Sequence, residues 1–109
     1  MLELNGKHTD TDAQGYLKNF SDWCEQLVPI LAKQENITLT KAHWKVIYFV
    51  QAFYKEFKTS PNTRMLVMAM KNKYGSGKSS SRYLFQLFPK GPAKQATKLA
   101  GLPKPVKCL

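Results

Sequence analysis

The hydrophobic positions of this chain recur at three- and four-residue steps over much of its length, which is the pattern of amphipathic helices. The longest such segment is predicted to form a helix from Lys41 to Lys58, with Thr40 as its N-cap. We expect this helix to be the centre of the core. Its expected core-facing positions are Trp44, Ile47, Tyr48 or Val50, Phe53 or Tyr54, and Phe57.

Two further helices are predicted on either side of the central one. The first should run from about Asp22 to Gln34, and Pro29 should kink it or start a new helix, because proline lacks a backbone donor. The second should be capped by Ser60, begin at Pro61 and end at Gly75. Its apolar positions are Met65, Leu66, Val67, Met68 and Met70.

Two short helices are predicted near the end of the chain. Ser81 should cap the first, and Pro89 should end it. Pro92 should open the second, from Ala93 to Ala100, and Gly101 should stop it. The apolar residues of the first are Tyr83, Leu84, Leu87 and Phe88.

The first residues of the chain have a different pattern, with weak alternation from Leu2 to Thr9 around Asn5-Gly6. This dipeptide favours a tight hairpin turn, and Tyr16-Leu17 could add a few extended residues. The expected fold is therefore α+β and mainly α, with a small hairpin or meander packed on a bundle of about five short helices. We expect one domain over residues 1–100 and an extended, mobile C-terminal arm over residues 101–109.

Charge divides the chain into two unlike halves. All seven acids precede residue 57, whereas residues 57–109 contain eleven Lys or Arg and no acid. Such a cationic half favours contact with nucleic acid or with an acidic protein surface. The expected basic docking face consists of Arg64, Lys71, Lys73, Arg82, Lys90, Lys94 and Lys98.

Several classes of function find no support in the sequence. His8 and His43 have no Cys or carboxylate at ligand spacing, so no metal is expected, and no cofactor is expected either. Gly75-Ser-Gly-Lys-Ser79 contains the end of a P-loop, but Asn72 stands where its first glycine should be, and the segment follows a helix. No apolar run is long enough for a membrane span, and no secretory signal is present, so the protein is expected in the cytoplasm.

The two cysteines are expected to differ in role. Cys24 lies on an apolar helix stripe and should be a small core residue. Cys108 stands one residue from the end, where Lys104 and Lys107 should favour its thiolate form. Pro103 and Pro105 prevent a helix and should keep the arm extended, with a reach of about 20 Å.

The segment from Tyr83 to Leu109, and above all its end Leu-Pro-Lys-Pro-Val-Lys-Cys-Leu, resembles the C-terminus of the DsrC/TusE family of sulfur carriers. The resemblance extends upstream through Thr38 to Trp44 and through Ser60-Pro61 with Arg64, so it covers essentially the whole chain. It implies a small β element on a helical body with a mobile arm, and a sulfurtransferase that carries sulfur as a persulfide on Cys108.

The resemblance also implies partners. Members that serve dissimilatory sulfite reduction have a second arm cysteine at the position of Thr97 here. Its absence favours the tRNA-thiolation branch, in which sulfur arrives from a TusBCD-like complex and passes to an MnmA-like thiouridylase for 2-thiolation of the wobble uridine in tRNA. The same absence disfavours the alternative that the protein is itself a gamma-subunit-like partner of a sulfite reductase.

Two alternatives remain open from the residues alone. The helices on either side of Thr59-Ser-Pro61 could form a helix-turn-helix-like module in which Arg64, Lys71 and Lys73 contact phosphates. Cys24 and Cys108 could instead form a redox-sensing disulfide.

Overall fold

Five α-helices, separated at glycine, proline and capping positions, make up most of the described chain in the computed structural model, which covers residues 2–4, 7–75 and 80–104. A 3-10 turn, Phe20–Asp22, precedes them. The helices are α1 (Leu27–Gln34), α2 (Lys41–Phe57), α3 (Thr63–Tyr74), α4 (Ser81–Leu87) and α5 (Pro92–Leu99).

The expected α+β class is corrected to an essentially helical fold. Two strands of three residues each, β1 (Leu2–Leu4) and β2 (Lys7–Thr9), pair antiparallel with Leu2 opposite Thr9, and they form no larger sheet. The expected meander strand at Tyr16-Leu17 is reduced to a single bridge between Thr11 and Leu17. The core of the described chain is built by helices, and the Asn5-Gly6 turn lies outside the described residues.

The first helix begins later than its hydrophobic stripe predicted. Residues 20–22 form the 3-10 turn, and α1 starts at Leu27 rather than at Asp22. Pro29 was expected either to kink a helix or to start a new one. The structure shows the latter, because α1 begins two residues before Pro29, which is its third residue. The first four backbone donors of a helix have no partner within the helix, so a proline there removes no hydrogen bond.

Helix α2 confirms its predicted start and cap. The Thr40 N–H donates to His43 Nδ1 at 3.1 Å, and the Thr40 hydroxyl donates to the same nitrogen at 2.8 Å. His43 Nε2 therefore carries the proton and donates to the Leu87 carbonyl at 2.8 Å, which joins α2 to the end of α4. Ile47, Val50 and Phe53 are buried as expected and Trp44 is half-buried, whereas Phe57 is exposed, contrary to expectation.

Helix α3 is capped by Asn62, whose side chain accepts from the Met65 N–H at 2.8 Å, and not by Ser60 as predicted. The Ser60 hydroxyl bonds elsewhere, to the end of the chain. Leu66 and Met70 face the core, while Met65 and Met68 are exposed. Only one side of α3 is therefore covered by the rest of the described chain.

Helix α5, not α2, is the hub of the fold, because it packs against all four other helices. Ala93 and Ala96 are almost fully buried, and their small side chains allow neighbouring backbones to approach closely. The last helix therefore organises the core, and the C-terminal arm leaves from its end. None of the helices in the described ranges combines the length and apolar character that a membrane crossing requires.

Candidate functional site

The predicted carrier residue, Cys108, lies outside the described residues, as do Pro105 and Lys107. The described chain reaches Lys104, where the side chains of Pro103 and Lys104 are exposed. The structure therefore bears on how the arm is attached to the body. We call residues 100–104 the arm root.

The arm root is fixed to the body by side chains from α2 and from the connection between α2 and α3. Gln51 of α2 donates its amide to the Ala100 carbonyl at 2.9 Å. Ser60 of the connection is almost fully buried and donates its hydroxyl to the Pro103 carbonyl at 2.7 Å. Leu102 is only 2% exposed, so its side chain belongs to the core. The start of the arm is consequently fixed on the body.

Trp23 and Gly101 define the turn at the start of the arm. The indole Nε1–H of Trp23 donates to the Leu99 carbonyl at 2.8 Å, and its ring lies against Gly101. Gly101 has φ +76°, a region that favours glycine, and a Cβ there would lie 2.6 Å from Trp23 Cδ1. Only glycine satisfies both the conformation and the close approach of the ring.

Thr97 occupies the position at which the family resemblance places a second cysteine in other members. Its side chain is fully buried, and its hydroxyl donates to the Ala93 carbonyl at 2.6 Å. Its carbonyl accepts from the Leu102 N–H at 3.0 Å and so helps to turn the arm root back along α5. The residue is therefore part of the packing beneath the arm.

The predicted basic docking face is divided between two places. Lys90, Lys94 and Lys98 line a pocket together with Lys104 of the arm root. Lys73 instead lines a separate groove between α2 and α3, and its ammonium lies 5.7 Å from the centre of the Phe49 ring. The other predicted members are exposed on α3 and α4, namely Arg64, Lys71 and Arg82.

The α2–α3 groove is mainly apolar, although Glu56, Asn72 and Lys73 also line it. It encloses about 390 Å³, and its walls include Phe53 and Phe57, whose ring centres are 4.6 Å apart. Phe57 is 56% exposed, so this residue, which hydrophobic periodicity assigned to the core, lies on the surface.

Glu35, at the C-cap of α1, is the acidic member of the lysine pocket. Its carboxylate accepts from Lys98 Nζ at 3.0 Å and from Gln95 Nε2 at 3.2 Å. Burial acts to raise the pKa of Glu35, but these hydrogen bonds and the charges of Lys98 and Lys90 outweigh it and hold the pKa below its ordinary value. Local sequence patterns do not indicate Glu35 as a site residue, because its partners are 60 and 63 positions away.

The lowered pKa of Glu35 predicts how stability depends on pH. Above pH 4.5, the ordinary pKa of a glutamate, the ion pair contributes its full share to the free energy of unfolding. This contribution is lost as the pH falls through the lower pKa that Glu35 has in the folded state. Glu35→Gln should therefore be less stable than the wild type at neutral pH, and the difference should shrink below pH 4.5. Urea unfolding across that range measures it. Glu56→Gln, at an exposed carboxylate, is the control; a difference independent of pH would contradict the prediction.

Cys24 is half-buried and packs against the core, in agreement with the role expected for it. Within the described ranges, no three His, Cys, Asp or Glu side chains are grouped so that they could hold a metal ion. The features that can support chemistry are therefore the fixed arm root and the lysines beside it.

Comparisons with known proteins define the family. The profile of the family described as DsrC like protein matches residues 3–109. Two proteins named Sulfurtransferase TusE match over the full length of both chains: that of Yersinia pestis is 69% identical, and that of Escherichia coli K12 is 60% identical.

Solved structures agree with the sequence relatives. The solution structure of Allochromatium vinosum DsrC has a TM-score of 0.89 at 44% identity, covering 99% of this chain and 96% of that one. The oxidized gamma-subunit of the dissimilatory sulfite reductase (DsrC) from Archaeoglobus fulgidus has a TM-score of 0.83 at 36% identity, covering 99% and 98%. The chain belongs to the DsrC-like family. Its full-length identity to the TusE proteins places it among the sulfurtransferases of that family.

Proposed function

We propose that the protein is a persulfide carrier in which Cys108 accepts sulfur from a TusBCD-like donor complex and passes it to an MnmA-like thiouridylase. The final product is the 2-thiolated wobble uridine of tRNA, and the reaction belongs in the cytoplasm. The observation that carries the proposal is the fixed arm root, which ends four residues before Cys108 in a chain 60–69% identical to TusE sulfurtransferases.

The transfer needs no net oxidation or reduction. The Cys108 thiolate attacks the outer sulfur of a donor persulfide, a new S–S bond forms to Cys108, and the donor's own S–S bond breaks. The donor leaves as a thiolate. A thiolate of the acceptor then attacks the outer sulfur held by Cys108, and Cys108 leaves as a thiolate. The carrier is thus regenerated without a metal or an organic cofactor.

The proposal gives the neighbouring residues supporting roles. The charges of Lys104 and Lys107 favour the thiolate of Cys108 over the thiol. Pro103 and Pro105 limit the conformations of the arm, so less entropy is lost when it enters a partner's site. The body (residues 1–100) docks through its cationic surface, and the arm (residues 101–109) delivers the sulfur.

The threonine at position 97 favours the tRNA-thiolation branch of the family over a role as partner of a sulfite reductase. A threonine cannot form a disulfide with Cys108, so a redox cycle within the arm is chemically excluded. The nucleic-acid-binding alternative assigns no use to the arm, whereas the persulfide proposal explains why side chains of α2 and of the α2–α3 connection hold its root.

Mass spectrometry of the intact protein tests the proposal directly. After incubation with a cysteine desulfurase, cysteine and the donor complex, the protein is expected to gain the mass of one sulfur atom, located on the C-terminal peptide that contains Cys108. Reduction with dithiothreitol should remove it. Sulfur found on Cys24 instead, or no added sulfur with an active donor, would show that the carrier assignment is wrong.

A further inference from the structure

Four lysines converge where α5 and the arm root meet the end of α1. They line a pocket of about 220 Å³, which we call the lysine pocket. Its lining residues are Gln14, Tyr16, Glu35, Lys90, Lys94, Gln95, Lys98 and Lys104. Of these residues, the proposed persulfide chemistry uses only Lys104.

The convergence depends on the turn at the start of the arm. Lys94 and Lys98 are one helical turn apart on α5. The chain reverses at Gly101, and the hydrogen bond from Leu102 N–H to the Thr97 carbonyl brings the arm root back beside the helix. Lys104 therefore lines the same pocket as lysines that precede it by six and ten positions in the sequence.

Buried polar contacts hold the remaining side of the pocket. Gln95, only 2% exposed, accepts from the Lys90 N–H at 3.1 Å and donates to Glu35 at 3.2 Å. Gly15 lies directly against the Lys98 side chain, because a Cβ there would be 2.7 Å from Lys98 Cε. The position of Lys98 is thus determined by packing as well as by its ion pair.

The pocket retains a net positive charge. Within the described chain, Glu35 neutralises Lys98, and burial raises the pKa of Tyr16, so its hydroxyl stays neutral and donates to the Lys94 carbonyl. The exposed side chains of Lys90, Lys94 and Lys104 contribute three positive charges around one small volume. Such an arrangement attracts an anion.

The chemistry of the lining favours a nucleic-acid phosphate over an acidic protein. Protein–protein interfaces have apolar centres and are depleted in lysine, whereas nucleic-acid interfaces are more polar and more positively charged. The lysine pocket has no aliphatic side chain apart from the lysine stems, and its single aromatic residue, Tyr16, is buried. Apolar lining occurs instead in the α2–α3 groove, around Phe53 and Phe57.

We propose that the lysine pocket binds the phosphate backbone of RNA, so that the body of the carrier contacts the tRNA whose uridine receives the sulfur. The inference rests on the proposed function for the identity of the RNA. Because Lys104 is part of both the pocket and the arm root, a bound phosphate would place the nucleic acid beside the origin of the arm.

Two double variants of the full-length protein test this binding with equal changes in charge. Lys90→Gln with Lys94→Gln alters the pocket, and Lys71→Gln with Lys73→Gln removes two exposed charges from α3. Fluorescence anisotropy with a tRNA transcript carrying a wobble uridine, between about 50 and 300 mM NaCl, gives affinity and its salt dependence. The pocket variant should bind about tenfold more weakly at low salt, and its slope of log K against log salt should be smaller by about 1.4 to 1.8. The α3 variant should change affinity less than about threefold.

Equal weakening by both variants would overturn the proposal, since it would indicate diffuse charge rather than a site. An unchanged affinity of the pocket variant, or no binding by the wild type, would also overturn it.

Lysine acetylation gives a second readout: tRNA should protect Lys90, Lys94 and Lys104, and protection by the donor complex instead of tRNA would contradict RNA binding. Sulfur loading of Cys108 in the wild type is measured separately by mass. Failure of loading in the wild type would refute the carrier function without changing the RNA result.

Discussion

Cys108→Ser is expected to abolish tRNA thiolation in a strain that depends on this protein. A serine hydroxyl remains protonated at neutral pH and cannot hold sulfur as a persulfide, so both halves of the transfer fail. The thiolated fraction of the target tRNAs should fall to the level of the deletion strain. It is measured by mass spectrometry of digested nucleosides, or by the retardation of thiolated tRNA in a mercury-containing gel.

Cys24→Ser is the matched control, because it makes the same chemical change at a half-buried position of the body. The thiolated fraction of the target tRNAs in a strain with Cys24→Ser should stay close to the wild-type level if the variant protein accumulates normally, which immunoblotting verifies. Substantial thiolation with Cys108→Ser would remove the basis of the carrier proposal. Loss of thiolation in both variants, with normal accumulation, would indicate a role for the pair of cysteines, as the redox alternative requires.

Gly101→Ala is expected to destabilise the protein by about 2–5 kcal/mol. A left-handed backbone costs a residue with a Cβ about 1–2 kcal/mol, and the overlap with Trp23 requires a shift in a packed region that costs about 1–3 kcal/mol more. Urea unfolding followed by tryptophan fluorescence measures the free energy of unfolding. Sulfur loading of Cys108 from the protein donor should also slow, because the origin of the arm is displaced.

Gly75→Ala separates the two causes. Gly75 also has a positive φ, +82°, with ψ −177°, a conformation that is essentially restricted to glycine, but a Cβ there would meet no atom of the described residues within 4 Å. This control should lose only the backbone contribution, about 1–3 kcal/mol. If both variants lost the same free energy, the close packing of Trp23 on Gly101 would not matter for stability. Alkylation of Cys108 by iodoacetamide should proceed in both variants, which distinguishes a displaced arm from an inaccessible thiol.

Local patterns predicted the helices better than they predicted which surfaces are covered. The spacing of Ile47, Val50 and Phe53 and the cap at Thr40 depend on nearby residues, so sequence was sufficient for α2. Phe57 was wrongly assigned to the core because apolar character shows that a side chain can be buried, not that a neighbour covers it. The predicted α+β class was wrong because an alternating segment shows that strands can form, but not how large a sheet they make.

The attachment of the arm could not be predicted, because each contact joins residues that are far apart in sequence. Ser60 and Pro103 are 43 positions apart, and Trp23 and Leu99 are 76 positions apart. Ser60 also satisfied a local rule for helix capping, and Asn62 took that role because the Ser60 hydroxyl is engaged by the Pro103 carbonyl. The position of Cys108 and the charge around it were visible in the sequence, whereas the pairing of Lys98 with Glu35 was not.

The anchored origin of the arm has a consequence for the order of events during catalysis. Cys108 lies only four positions after Lys104, which limits their distance to roughly 13 Å along a fully extended chain. Two macromolecules that both need the same sulfur within so small a radius would collide. The donor and the acceptor must therefore bind one after the other, and the carrier has to release one before it can bind the other, as in a double-displacement scheme.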